Sequence, residues 1–308
     1  RPVFEEATDV PRPAFAFGPQ THDRDRQYTA GLGYEMLWRG VGELTLGVQR
    51  TDYRKEGLSP AGALPVSESR PWLYNGAFSV YLGEALVLYG SYSRGLEESP
   101  VAPEAAVNRD TAPPAILTEQ LDFGLRYSIA ENLRLVVGAF EVRKPFFGLD
   151  RNFLFRDLGG VRHRGLEFSL AGSLLPRLYL LAGTIFLDAR VSGDAVDQGL
   201  IADRPIGSIA RTTVAYAQYS FVRPNGLSVD LTFESTSDRV ADNLGRFTVP
   251  ARSVFNLGAR YRFTLGRAPA TLRVQLANVF DNYGFNVLGG GFYYNFPRRL
   301  TAALTADF

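Results

Sequence analysis

The sequence predicts an all-β protein, a transmembrane antiparallel β-barrel, and three observations predict it. Segment after segment alternates apolar and polar residues with a period of two. The connections between those segments alternate between very short and long. No apolar run approaches the roughly 18 residues that a membrane-spanning helix needs. In lipid a strand satisfies its backbone only by pairing on both sides in a closed sheet, with apolar side chains outward and polar ones toward the lumen. A soluble β-sandwich or propeller is the competing architecture, because its strands alternate too and its apolar face is a core. Short turns at one end and long loops at the other favour the barrel, and they put the apolar face outside.

Residues 1–25 read as an extracellular loop or irregular lead-in. Period-two alternation then gives about thirteen strands, near 26–38, 42–54, 70–82, 84–94, 118–129, 132–144, 160–173, 176–190, 209–220, 226–238, 252–264, 269–282 and 298–308. In 118–129, Leu121, Phe123, Leu125 and Tyr127 oppose Gln120, Asp122, Gly124 and Arg126. In 226–238 the division is Leu227, Val229, Leu231 and Phe233 against Ser228, Asp230, Thr232 and Glu234. In 252–264, Phe255, Leu257, Ala259, Tyr261 and Phe263 face one way, and Asn256, Gly258, Arg260 and Arg262 the other. The last strand sets Leu300, Ala302, Leu304, Ala306 and Phe308 against Thr301, Ala303, Thr305 and Asp307. Segments 84–94 and 176–190 are apolar on both faces for part of their length, so alternation leaves their orientation open.

The short connections fall at Arg39, Leu82, Ala130, Leu175, Pro224 and Gly266. The long ones are 55–69, 95–117, 145–159, 191–208, 239–251 and 283–297. Short periplasmic turns and long extracellular loops are the asymmetry of bacterial outer-membrane barrels. With the C-terminus in the periplasm, counting back from Phe308 places every long loop outside.

Apolar residues make up 45% of the 308, and 15 Tyr, 22 Phe and 31 Gly suit a strand-rich chain with aromatic girdles. A net charge of +1 supplies no field for nucleic acid. Cys is absent and His occurs only at 22 and 163, so disulfides, thiolate sites and multi-His metal sites are unavailable. Any metal has to arrive inside a ligand. The chain opens at Arg1 without a signal peptide, and is expected to be a processed product or a fragment.

The charges Asp122, Arg126, Glu141, Arg143, Glu167, Asp230, Glu234, Arg260, Arg262 and Arg273 are expected to face the lumen, where solvation of a polar interior accounts for them. Asp230 and Glu234 lie roughly 13 Å apart along a strand, too far for paired-carboxylate glycoside chemistry. His163, between Arg162 and Arg164, has no accompanying nucleophile motif, which leaves it a structural role. Gly289 to Gly291 precedes a strand instead of opening a helix, so it reads as a flexible loop and not a phosphate loop.

Several segments in this order resemble the C-terminal half of TonB-dependent outer-membrane receptors, siderophore-receptor branch. They are LYGSYSRGLEESPVAPEAAVNRD at 88–110, VRKPFFGLD at 142–150, GVRHRGLEFSLAG at 160–172 and LANVFDNYGFN at 276–286, followed by the terminal Phe308. The resemblance implies an energised importer that binds a ferric siderophore in its extracellular loops and admits it when a plug is remodelled by the TonB complex. It also implies outer-membrane lipid and the barrel assembly machinery as partners, with Leu304 and Phe308 as the assembly signal, and neither catalytic residues nor a resident cofactor. Such transporters have about 22 strands. This sequence shows no plug and no TonB-contacting segment, so the chain alone is expected to be transport-incompetent. The expected substrate-contacting residues are Phe147, Arg151 and Arg156, with Phe146 beside them, then Arg246 and Phe247, then Tyr283, Phe285, Tyr293 and Tyr294, with Phe292 between. Arginine offers fixed donors to an anionic chelate, and aromatics offer a flat apolar surface. Haem, cobalamin and carbohydrate remain open as cargo. So do a passive pore of 12 to 14 strands closing on itself and an outer-membrane enzyme built around His163.

Overall fold

The computed structural model describes residues 14, 18–288 and 291–307. Gly289, Gly290 and the terminal Phe308 lie outside the described residues, so the predicted loop glycines and the aromatic end of the assembly signal are not placed. Thirteen strands follow one another in a single antiparallel meander. They are β1 (His22–Trp38), β2 (Gly42–Ser59), β3 (Trp72–Leu82), β4 (Leu86–Glu97), β5 (Ile116–Ala130), β6 (Leu133–Leu149), β7 (Phe155–Leu175), β8 (Leu178–Ser192), β9 (Arg211–Ser220), β10 (Leu227–Thr236), β11 (Arg252–Leu265), β12 (Ala268–Ala277) and β13 (Arg299–Ala306). Each pairs with its sequence neighbours, as expected where hairpin connections join antiparallel strands. Among the described residues β1 and β13 do not pair with each other, so the sheet stays open and gives no support to a self-closing pore. Among the described residues no helix is long and apolar enough to cross a membrane.

The strands match the predicted segments one for one and differ mainly at the ends that meet the long connections. β1 starts at His22, inside the predicted lead-in, and pairs with β2 as far as Leu58. Most of the predicted 145–159 loop is ladder, with Phe147 opposite Asp157 and Leu149 opposite Phe155, past a register shift between Pro145 and Phe147. The run Pro145, Phe146, Phe147, Gly148 carries no alternation, because beyond the bilayer neither face needs to be uniformly apolar.

Register separates the two faces. One carries Leu231, Leu257, Leu276 and Leu300 as a directly opposed row across β10 to β13. Leu276 is half-buried and the other three are exposed, Leu257 by 47% and Leu300 by 68%, which is the outward apolar band of a barrel and not a core. Aromatics edge the band. Trp38, Tyr127, Tyr219 and Tyr261 lie toward the short turns, where Tyr261 stacks on Phe263 with centroids 5.5 Å apart. Trp72 and Tyr74 lie toward the long loops, under Arg50 and Arg94 at 5.2 and 5.6 Å.

The lumen face holds Asp122, Arg126, Glu167, Asp230, Arg260 and Arg273 as expected. Asp230 on β10 and Arg273 on β12 form a two-point ion pair, Nη2 to Oδ2 at 2.9 Å, across the intervening β11. The pair fits because Gly258 stands between: a Cβ there lies 2.6 Å from Arg273 Nη2 and closer still to Asp230 Oδ2.

Two predicted lumen charges are misplaced. Glu141 stands opposite Leu121, and Arg143 opposite Glu119, so both belong to the outward face. The reason lies in β6, where Val136, Phe140 and Val142 point inward while Leu135, Val137 and Ala139 point outward. With both faces apolar, alternation gives no sign of which is which.

Candidate functional site

The long connections gather at one end of the sheet and are tied to one another. The tip of the β6–β7 hairpin turns at Asp150, whose Oδ1 accepts the Asn152 and Leu154 amides at 2.8 and 3.0 Å. Its Oδ2 accepts Arg156 Nε at 3.0 Å, and Arg156 Nη1 donates onward to Asp194 Oδ2 at 3.1 Å. Asp194 opens the short helix α1 (Asp194–Asp197) in the connection between β8 and β9. Arg151 Nη2 donates to the Gln198 carbonyl at 2.6 Å. From the other side Asn108, in the connection after β4, clasps Phe155 with its amide donating to the Phe155 carbonyl and accepting the Phe155 N–H, both at 2.9 Å. The Arg156 hydrogen bond, followed by the Leu154 N–H, holds the Asp150 carboxyl below its usual range.

A second set of ties continues around the rim. Ala202 N–H reaches the Asn243 carbonyl at 2.7 Å, and Ile209 bridges to Arg239. The connection between β10 and β11 folds into a small ribbon, Arg239–Val240 against Thr248–Val249. Asp242 shapes its tip, accepting Phe247 N–H at 2.8 Å and Arg246 Nε at 3.2 Å. Those donors, the Phe247 amide first, keep its carboxyl below the ordinary range. Arg246 lies over the Phe247 ring at 5.8 Å.

The connection between β12 and β13 forms a hairpin, Phe285–Leu288 against Gly291–Tyr294, beside the Thr248–Val249 ribbon. Asn278, at φ 50°, launches it, donating to the Asn282 and Phe296 carbonyls at 3.1 Å each. Tyr283, Phe285 and Tyr294 form one aromatic cluster with centroid separations of 5.6, 5.8 and 5.0 Å, and Phe292 packs on Phe285 at 6.4 Å. The cluster offers its surface outward: Tyr283 is 72% exposed and Tyr294 69%. Tyr293 stands opposite Asn286 on the other face of the hairpin and does not join it.

The predicted contact residues therefore divide. Arg246, Phe247, Tyr283, Phe285 and Tyr294 are brought onto two adjacent loops as an exposed aromatic and arginine surface. Arg151 and Arg156 are already engaged as braces, and Phe147 packs on Phe155 at 6.1 Å. Asn108, Asp150, Asp194 and Asp242 shape this rim without having been singled out from the sequence. For Asp150 and Asp242 the signal is Asx chemistry at turns, visible only once the turn positions are known, whereas Asn108 and Asp194 act on Phe155 and Arg156, far away in sequence, where no local pattern marks them. His163 sits opposite Val142 and Ala189 within the sheet, and no cluster of three or more potential metal ligands occurs among the described residues.

Residues 5–280 match the family model described as "TonB dependent receptor-like, beta-barrel". That match covers most of the chain, and the protein belongs to this family. No curated protein matches it in sequence. Among solved structures it is similar to the ferric preacinetobactin receptor BauA from Acinetobacter baumannii, at 22% identity and a TM-score of 0.82, with 97% of this chain and 45% of that chain covered. The ferripyoverdine receptor of Pseudomonas aeruginosa bound to ferripyoverdine aligns at 19% identity and a TM-score of 0.78, over 97% and 41% of the two chains. The ferric citrate transporter FecA, in its unliganded form, aligns at 16% identity and 0.78, over 97% and 48%. The chain thus spans less than half the length of these structures.

Proposed function

We propose that this chain forms part of the barrel of an outer-membrane, TonB-dependent receptor for a ferric siderophore in a Gram-negative bacterium. Plug remodelling by the TonB complex would depend on sequence outside this chain. The observation that carries the reading is the exposed surface of Tyr283, Phe285, Tyr294, Arg246 and Phe247 on the loop side of a barrel of this family. An iron chelate with anionic and aryl parts meets there both a guanidinium and clustered aromatic rings. Solved relatives that bind preacinetobactin, pyoverdine and citrate complexes of iron support the cargo class.

The test is equilibrium binding of ferric preacinetobactin, ferripyoverdine and ferric citrate, each with its iron-free form, to the purified full-length receptor. Alanine at Arg246, Phe247, Tyr283 and Tyr294 together should weaken binding of the cognate ferric form by about tenfold or more, because a few Tyr and Arg anchors carry much of a binding energy. Tyr293→Ala alone should leave affinity within about twofold, since its ring points away from the cluster. Unchanged affinity after the four substitutions removes these loops from the site. Absence of saturable binding to any ferric chelate removes the siderophore assignment.

A further inference from the structure

The outward face of β6, β7 and β8 breaks the pattern of the apolar band in one place. Arg143, Arg162 and Arg190 stand directly opposite one another on these three adjacent strands. Like charges opposed across strands repel, so such a row is unfavourable unless something anionic meets it. The protein answers only part of it. Arg143 pairs with Glu141, and Arg190 with Asp188 at 2.8 Å and with Asp203. Arg162, in the middle, has no ion pair among the described residues, and its Nε is buried without a hydrogen-bond partner. One step down the same strands Arg164 shares Glu141 with Arg143, so cations outnumber carboxylates in these two rows.

The height of the row matters as much as its charge. Across β5 and β4 it continues through Glu119 and Arg94 to Tyr74, which belongs to the aromatic edge on the loop side. Tyr127, on the opposite edge, lies eight residues along β5 from Glu119, about 20 Å along the barrel axis for a tilted strand. The arginines therefore sit where headgroups begin. They line a groove of about 540 Å³ together with Leu117, Pro145 and Ser192, and Glu119 is its one carboxylate. Immediately below lies a second groove of about 560 Å³ with a floor of Leu121, Phe123, Ala139, Leu166 and Phe186. Cationic above and apolar below is the complement of a phosphorylated amphiphile.

We propose that this face holds one phosphorylated membrane lipid, its phosphate bound by Arg143, Arg162 and Arg190 and an acyl chain lying in the apolar groove beneath. Guanidinium forks match phosphate oxygens in a way that an ammonium does not, and basic groups at headgroup level select anionic lipids. The assignment rests on the outer-membrane reading above.

The test uses the full-length receptor in detergent and native mass spectrometry of retained lipid, with dioleoyl phosphatidic acid and dioleoyl phosphatidylcholine as probes. Phosphatidic acid should be retained about tenfold better. The triple variant Arg143→Gln, Arg162→Gln, Arg190→Gln should lose that preference while its retention of phosphatidylcholine stays the same. Arg162→Gln alone should lower phosphatidic acid affinity about fivefold, with Arg162→Lys restoring part of it. That single substitution carries the test if the triple variant does not fold. The lumen-facing pair Arg260→Gln, Arg262→Gln should change nothing. Equal retention of the two lipids by the wild type, or an unchanged preference in the variants, overturns the proposal. Displacement of the lipid by millimolar inorganic phosphate also overturns it, by assigning the row to a free anion. Insertion into pure phosphatidylcholine vesicles is measured separately. Failure there removes the membrane reading, whereas insertion without phosphate preference removes only the lipid site.

Discussion

Arginine placed at Leu231 should cost far more than arginine one residue away at Thr232. Leu231 lies opposite Ala217 on β9 and Leu257 on β11, and that row continues through Leu276 to Leu300. It stands four residues above Leu227, which is level with Tyr261 at the short-turn edge, and four below Ser235. At the usual strand rise and tilt these are about 10 Å of barrel height on each side, which puts Leu231 near the midplane. An arginine facing lipid there costs about 2 to 4 kcal/mol, a factor of roughly 30 to 1000 in the folding equilibrium. Thr232 faces the lumen opposite Asn256, between Asp230 and Glu234, so a cation there meets water and carboxylates and should cost under about 1 kcal/mol. The assay is urea titration of the full-length receptor folding into phosphatidylcholine vesicles. Adding Leu257→Glu to Leu231→Arg should recover part of the loss, because the two positions are directly opposed. Equal costs at 231 and 232, or a larger one at 232, would refute the assignment of faces.

Three further outcomes follow from the same geometry. Gly258→Ala should wedge apart the Asp230–Arg273 pair and lower stability by about 1 to 3 kcal/mol in the same titration, while Gly95→Ala, with open space around its Cβ and no positive φ to strain, should leave it nearly unchanged. Because the folded Asp150 carboxyl lies below its ordinary value, its contribution is present above the usual carboxyl pKa of about 4 and disappears as pH falls through the depressed value. Intrinsic-rate-corrected hydrogen exchange of residues 150–156 should therefore show protection at neutral pH that is lost in strong acid, and Asp150→Asn should show much of that loss already at neutral pH. Asn108→Ala should raise exchange at the Phe155 amide, whose hydrogen bond it accepts, without touching amides in the lipid band.

What the sequence discloses depends on whether the bilayer acts on it. Between the aromatic edges each strand has one face in hydrocarbon and one in the lumen, so β5, β10, β11 and β13 announce themselves by alternation. Where both faces are apolar, as in β6 with Val136 and Phe140 inward and Val137 and Ala139 outward, the strand is evident but its orientation is not, and Glu141 and Arg143 are assigned to the wrong side. Above the membrane the constraint lapses, so the continuation of β6 to Leu149 is invisible in Pro145, Phe146, Phe147 and Gly148. The aromatic and arginine composition of the loops is legible, but which of them meet is not. Tyr293 and Tyr294 are adjacent in sequence, yet the hairpin ladder sends them to opposite faces.

The overreach of β6 and β7 sets a fixed parapet around the entrance. From the arginine row to the tip at Leu149 and Phe155 the ladder climbs about another 15 Å on backbone hydrogen bonds. A wall built this way resists bending sideways, since lowering it means breaking rungs in sequence. The segments between such uprights are joined differently: among the described residues, 193–210 and 237–251 meet through the Ala202–Asn243 and Gly207–Val240 backbone hydrogen bonds and the Ile209–Arg239 bridge, contacts that can part without breaking a ladder. Any swelling or narrowing of the entrance should show in distances between those segments, while the crest of the parapet keeps its height.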